Sequence, residues 1–327
     1  MRQTSRPRPR PGPWKPTRHP TAVVEIEPPR LSSFPQEREQ LEYSSRSLVF
    51  ASDGARVLRV WGRPERPWVL AVEERGSRWR ATGFGPGPAE TRAAARSLFS
   101  LDHPIEEFYR MVRDEPVLAG TERKFRGLRL PRDASVYEAL FHSILGQQVS
   151  VRAASAIKQR LIDATDAHLE VDGRVVPRVP SPAEILALGT EGLRANGTSG
   201  AKAKSLLALA VDETAGRWAP EALDPLGTPE LVAALDEAQG VGRWTAENVA
   251  LRGLGRPDAF VAGDLGVRVA LAEYGAVPRA ADEATARAWG DRHYPGWGSY
   301  ATLYLWRKWV TDVRAQRSFV RPKRDAG

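Results

Sequence analysis

The spacing of hydrophobic positions changes once along this chain, close to residue 100. Upstream, short runs rich in β-branched and aromatic residues recur: Val23–Ile26, Leu48–Phe50, Val57–Trp61, Trp68–Glu73 and Trp79–Thr82. Asp53-Gly54, the stretch Pro64–Pro67 and Arg75-Gly76 separate them, which predicts a small antiparallel sheet, closed by a helix near Ala89–Phe99. Downstream of Leu101 the period lengthens to that of helices, and the start signals are plain. Ser135-Val-Tyr-Glu138 reads as a capping box, and Ser150 caps a helix to about Ala164. Ser181-Pro-Ala-Glu184 supplies an N-cap, a proline at the first helical position and a glutamate two residues on. Thr228-Pro229 opens another helix, and more are predicted over Trp244–Leu254, Leu265–Tyr274, Glu283–His293 and Tyr300–Val313. Asp172-Gly173 predicts the turn of a small hairpin between Val171 and Val179.

The patterns divide the 327 residues into four parts. Residues 1–20, where Pro alternates with Arg, cannot bury a core and predict a disordered basic arm. Residues 21–100 form the sheet domain, 101–315 an all-helical domain, and 316–327 a short basic tail. The fold class is therefore mainly α, preceded by a small antiparallel α+β domain.

Composition narrows the chemistry. The chain contains no cysteine, which excludes disulfides, thiolate zinc sites, cysteine nucleophiles and iron–sulfur clusters. No histidine cluster suggests a metal site, so none is expected. Met1 is followed by Arg and Pro rather than an apolar stretch, and no apolar run approaches the ~20 residues of a spanning helix. A cytoplasmic protein with no membrane partner is expected. Net charge is +8, and six of those charges sit within the first twenty residues, at Arg2, Arg6, Arg8, Arg10, Lys15 and Arg18. A polyanionic partner is favoured, but the arm accounts for much of the excess.

Between two predicted helices lies Gln239-Gly-Val-Gly-Arg-Trp-Thr-Ala246. Gly240 and Gly242, placed just before a helix, permit a tight turn whose backbone N–H groups can hold a phosphate without reading a base. Val241 completes the turn, Arg243 adds charge, and Thr245 enters the second helix. An ordinary turn between helices would use glycine as well. The usual apolar residue and proline before the first glycine are replaced here by Ala238 and Gln239.

Four segments in order carry a family resemblance. Phe141-His-Ser-Ile-Leu-Gly-Gln-Gln-Val-Ser150, Gly240-Val-Gly-Arg-Trp-Thr-Ala246, Asp258-Ala-Phe-Val-Ala-Gly-Asp264-Leu-Gly-Val-Arg268 and Trp297-Gly-Ser-Tyr-Ala-Thr-Leu-Tyr-Leu-Trp306 resemble the AlkA-type DNA-3-methyladenine glycosylase II family of the helix-hairpin-helix (HhH-GPD) superfamily. The resemblance implies a TATA-binding-protein-like sheet before the helices. It also implies excision of alkylated purines, of the 3-methyladenine and 7-methylguanine type, from damaged double-stranded DNA by a monomer without a cofactor. A monovalent cation on hairpin carbonyls is a further possibility it raises.

By the same resemblance Asp264, 22 residues beyond Gly242, is the catalytic carboxylate. Its position before a helix reads equally as an N-cap. Such a carboxylate would stabilise positive charge on the sugar and orient the attacking water. The resemblance places Trp244 and Trp306 in the pocket for the flipped base, where indole faces attract electron-poor rings, and leaves Trp297 and Trp309 to the core. It puts Gln147 and Gln148 at the duplex wedge. Asn248, Leu265 and Gly298 depart from the family, which has tyrosines at the first two positions and often arginine at the third. Relatives that also cut the strand carry a lysine two residues past the second hairpin glycine; here that residue is Trp244, and Gln239–Leu254 contains no lysine. The competing readings are a non-catalytic DNA-binding hairpin protein and a glycosylase for oxidised or deaminated bases on the same fold.

Overall fold

The computed structural model describes residues 17–44 and 49–319. The predicted arm thus falls outside the described residues up to position 16, as do residues 320–327 of the predicted tail. Five strands build one antiparallel sheet: β1 (Ala22–Ile26), β2 (Ala51–Ser52), β3 (Arg56–Trp61), β4 (Trp68–Arg75) and β5 (Arg78–Phe84), in the spatial order β1-β5-β4-β3-β2. The run expected at Leu48–Phe50 is not a strand at its described positions; pairing begins only at Ala51, opposite Leu58.

Both faces of the sheet are covered. Trp68, Leu70 and Val72 of β4 pack with α1 (Phe34–Ser44) and α2 (Pro88–Leu98), whereas the intervening Val69 and Ala71 meet Val171 and Val176. The latter two belong to the hairpin of β6 (His168–Val171) and β7 (Arg174–Pro177). Its turn is Asp172-Gly173, both residues with positive φ (51° and 69°), as a tight two-residue hairpin turn requires. Burial on two faces is why β4 reads Trp-Val-Leu-Ala-Val rather than alternating with polar residues. Helix α1 has no counterpart in the sequence reading. Pro35 and six charged or amide residues disguise it, and it is held by Phe34, Leu41 and the buried Glu37, which accepts from Arg129 N at 2.8 Å.

The helical part comprises α3 (Ile105–Val112), α4 (Thr121–Lys124), α5 (Val136–Gly146), α6 (Val151–Thr165), α7 (Pro182–Ala195), α8 (Gly200–Thr214), α9 (Pro220–Leu223), α10 (Thr228–Asp236), α11 (Arg243–Arg252), α12 (Leu265–Glu273), α13 (Glu283–His293) and α14 (Gly298–Phe319). Helix α14 runs beyond the expected end at Val313, into the stretch expected to be tail. Ser135, Ser150 and Ser181 cap α5, α6 and α7, with the full capping box only at Ser181–Glu184. Glu138 leaves the box expected at α5 because its carboxylate is drawn to Ala134 N and to Arg59. The cap of α10 is Gly227 rather than Thr228.

Two cores result. One joins α3, α12, α13 and α14; the other joins α5, α6, α7, α8, α10 and α11. Helix α11 serves both: Ala246, Val249 and Ala250 belong to the second core, while Trp244 packs against the first. Helix α5 is buried from Val136 to Leu145, so it is a central element and not a surface one. The seam between the two cores holds the site. No helix of the described residues is long and apolar enough to cross a membrane.

Candidate active site

A cavity of about 440 Å³ opens along this seam, within the size range of small-ligand sites. Asp264, Trp244 and Trp306 all line it, from the N-termini of α12 and α11 and from α14. Asp264 is the N-cap of α12, and its Oδ1 accepts from Val267 N at 3.0 Å. The same oxygen accepts from Trp306 Nε1 at 2.9 Å, and Oδ2 from Trp244 Nε1 at 3.2 Å. The cap and the cavity carboxylate are therefore one side chain: capping aims it, and two indole N–H groups hold both oxygens.

The two tryptophans thus present ring surface to the cavity while their polar edges serve Asp264. One side of Trp306 is also engaged, with the Arg252 guanidinium 5.7 Å from its ring centre. Trp297 lies in the core beside Phe108 and Tyr300, as expected. Trp309 packs against the same core but also lines the cavity and donates to Glu273 Oε2 at 2.7 Å. Asn248 lines the cavity too, its amide donating to Trp244 O at 2.9 Å, while Leu265 is 68% exposed beside Asp264. Gly298 has no room for a side chain: a Cβ there would lie 2.6 Å from Phe260 N and 2.8 Å from Asp258 O. The loop carrying Asp264 packs directly onto it.

The glycine turn joins α10 to α11, as a helix-hairpin-helix requires. Gly240 is left-handed (φ 77°), and a Cβ would overlap the Ser205 hydroxyl. Gly242, the N-cap of α11, has ordinary φ and nothing within 4 Å of where a Cβ would stand. The first glycine shapes the turn; the second keeps the helix N-terminus open. Val241 and Thr245 point inward, at 7% and 1% exposure, so only their backbone can face a ligand. Arg243 is exposed but shares Glu247 with Arg287, at 2.9 and 2.8 Å, which dilutes its charge. Gly240→Ala is expected to distort the turn by about 1–2 kcal/mol and to weaken duplex binding roughly tenfold in fluorescence anisotropy. Gly242→Ala should leave the fold intact, so any affinity it loses reports a blocked approach to the N–H groups.

The paired glutamines part company. Gln147 Nε2 donates to Gly240 O at 2.8 Å and to Thr245 Oγ1 at 3.0 Å, anchoring α5 to the hairpin. A cation on the hairpin would compete with that amide for the Gly240 carbonyl. Gln148 sits exposed at the apex between α5 and α6 with φ 55°, next to the exposed Val149 and Val151.

Sequence reasoning missed the charged group behind the cavity. Arg59, fully buried on β3, donates to Asp133 Oδ1 at 3.0 Å, to Glu138 Oε1 at 2.8 Å and to Val49 O at 2.9 Å. His142 Nδ1 lies 3.4 Å from Asp133, and Lys158 and Arg252 complete the cluster. Burial pushes Glu138 up to about 7 against the pull of Arg59, and pushes His142 down to about 4 against Asp133. Burial opposes charge on Asp133, but His142, Arg59 and Arg252 outweigh it and hold that carboxyl low. Asp133, Glu138 and His142 offer ligand atoms within 4.8 Å of one another, yet Arg59 already occupies both carboxylates. The available signal was Arg59 itself, a charge inside the apolar run Val57–Trp61.

Residues 141–291 match the HhH-GPD superfamily of base excision DNA repair proteins. The chain is also similar to DNA-3-methyladenine glycosylases. It is 29% identical to a DNA-3-methyladenine glycosylase of Bacillus subtilis over 64% of this chain and 69% of that protein. It is 31% identical to DNA-3-methyladenine glycosylase 2 of Escherichia coli over 55% of this chain and 60% of that protein. The 3-methyladenine DNA-glycosylase of Archaeoglobus fulgidus shares the fold, with TM-score 0.74 and 23% identity over 88% of this chain and 97% of that one.

Proposed function

We propose that this protein is a monofunctional DNA N-glycosylase that flips alkylated purines out of duplex DNA and hydrolyses their bond to the sugar. The observation that carries the reading is the Asp264 carboxylate on the wall of a cavity it shares with Trp244 and Trp306. As the base departs, positive charge develops on the sugar, and a fixed carboxylate stabilises it and orients water. The indole N–H bonds leave little for the carboxylate to reorganise during reaction.

The remaining parts fall into place around that step. The open N-terminus of α11 takes a backbone phosphate. Gln148, with Val149 and Val151, fills the space the flipped base leaves behind. With Trp244 at the position where strand-cutting relatives carry lysine, no amine in Gln239–Leu254 can form a Schiff base. The product is an abasic site in an intact strand.

The test is base release from methylated duplex DNA, with the freed purines identified by mass and the strand examined on a denaturing gel. Release of 3-methyladenine or 7-methylguanine with an uncut strand is expected. A covalent adduct trapped by borohydride would contradict the monofunctional part, and no release would contradict the whole.

A further inference from the structure

The hairpin and the loop of Asp264 are joined by a chain of charges outside the cavity. Arg243, the first residue of α11, donates from Nε to Glu247 Oε1 at 2.9 Å. The same oxygen meets Arg287 of α13 at 2.8 Å, and Arg287 also donates to Glu283 Oε1 at 2.7 Å. From there the contacts reach the loop. Arg287 Nη1 lies 3.5 Å from Phe260 O. The Glu283 carboxylate packs against Gly263, the residue before Asp264, where an added Cβ would stand 3.0 Å from Oε2.

Of the two cations, Arg243 is the more exposed, and it stands beside the open N-terminus of α11, where a phosphate would come. Glu247 is the shared member, with a side chain only 4% exposed. Its Oε1 holds both guanidiniums, whereas Oε2 is buried without a hydrogen-bond partner. Burial pushes this carboxyl up, and Arg243 and Arg287 pull it back. A neutral amide of the same shape would avoid the cost of a buried charge. Packing alone therefore does not account for a glutamate here.

We propose that Glu247 is a positioning residue of this site: its buried carboxylate restrains Arg243 at the hairpin and, through Arg287, holds the loop of Asp264 in register with it. A DNA phosphate then meets a guanidinium already partly neutralised. Some backbone affinity is given up, and the held strand is set at a fixed distance from the carboxylate that acts on it. The inference rests on the glycosylase reading of Asp264.

The test compares the wild type, Glu247→Gln, Arg243→Gln and the double variant in two assays. One is binding of an undamaged duplex by fluorescence anisotropy; the other is single-turnover release of 7-methylguanine at saturating protein. Glu247→Gln should bind roughly fivefold more tightly, because Arg243 is freed for the backbone, and yet release the base roughly tenfold more slowly. A side chain that served folding alone would not raise affinity and lower the saturated rate together. In the Arg243→Gln background the gain in affinity should vanish. Binding by Glu247→Gln no tighter than wild type, or an unchanged release rate at saturation, overturns the proposal, as does a gain that survives Arg243→Gln. If Glu247→Gln fails to melt cooperatively, Arg287→Gln is read in its place. That change leaves the whole of Glu247 to Arg243, so binding should weaken while release slows, and an unchanged rate at saturation overturns the proposal. A wild type that releases no 7-methylguanine sinks the glycosylase reading, and the binding comparison alone then decides whether Glu247 restrains Arg243.

Discussion

Asp264→Asn is expected to slow release of methylated purines by roughly 10³-fold while barely moving the melting temperature. The reason lies in the double duty of this side chain. Asparagine caps helices about as well as aspartate, so its carbonyl oxygen can keep the bonds from Val267 N and Trp306 Nε1. What changes is the charge and the second oxygen, which now becomes an NH₂ facing the Trp244 indole N–H. Asp264→Ala would be a poorer test, because losing the cap costs about 1 kcal/mol as well. Release rates are measured on a methylated duplex under single-turnover conditions, with binding to abasic DNA followed in parallel. If Asp264→Asn releases purines within a few-fold of wild type, Asp264 is only a cap.

Arg59→Met should be the most damaging single change to the fold. It removes the cation that neutralises Asp133 and Glu138 and leaves both carboxylates in the interior, a loss of about 3–5 kcal/mol. In a thermal melt that is a fall on the order of 10 °C. The pH dependence carries a definite sign. Glu138 in the folded protein titrates at about 7, above its ordinary 4.5, so the stability it contributes is full below 4.5 and is lost as pH rises through 7. Arg59 pulls Glu138 down, so removing it deepens that loss. The deficit of the variant should therefore be smaller at pH 5 than at pH 8. A deficit that is the same at both values would show that the carboxylates have found other partners.

The cluster also gives the sheet domain a part in the site. Arg59 stands on β3, yet its partners lead through Glu138 and His142 on α5 to the cavity wall. The β6–β7 hairpin works in the opposite direction, leaving the helical part to cover the second face of the sheet.

Signals confined to a few neighbouring residues were legible in the sequence by itself. Ser150, Ser181 and Asp264 announce their helices because an N-cap bond spans only three residues. Asp172-Gly173 announces its hairpin because the backbone there must take positive φ. The motif order and the glycine turn sufficed to indicate the family. Tertiary structure alone decided that Gln147 braces the hairpin 93 residues away, and that Trp244 and Trp306 hold the two oxygens of one carboxylate. It alone brought Arg59 to Asp133 and Glu138, over separations of 74 and 79 residues. Local sequence specifies backbone conformation through contacts within a turn or two. The meaning of a buried charge depends on which partner the packed chain brings within a few ångströms, and no periodicity records that.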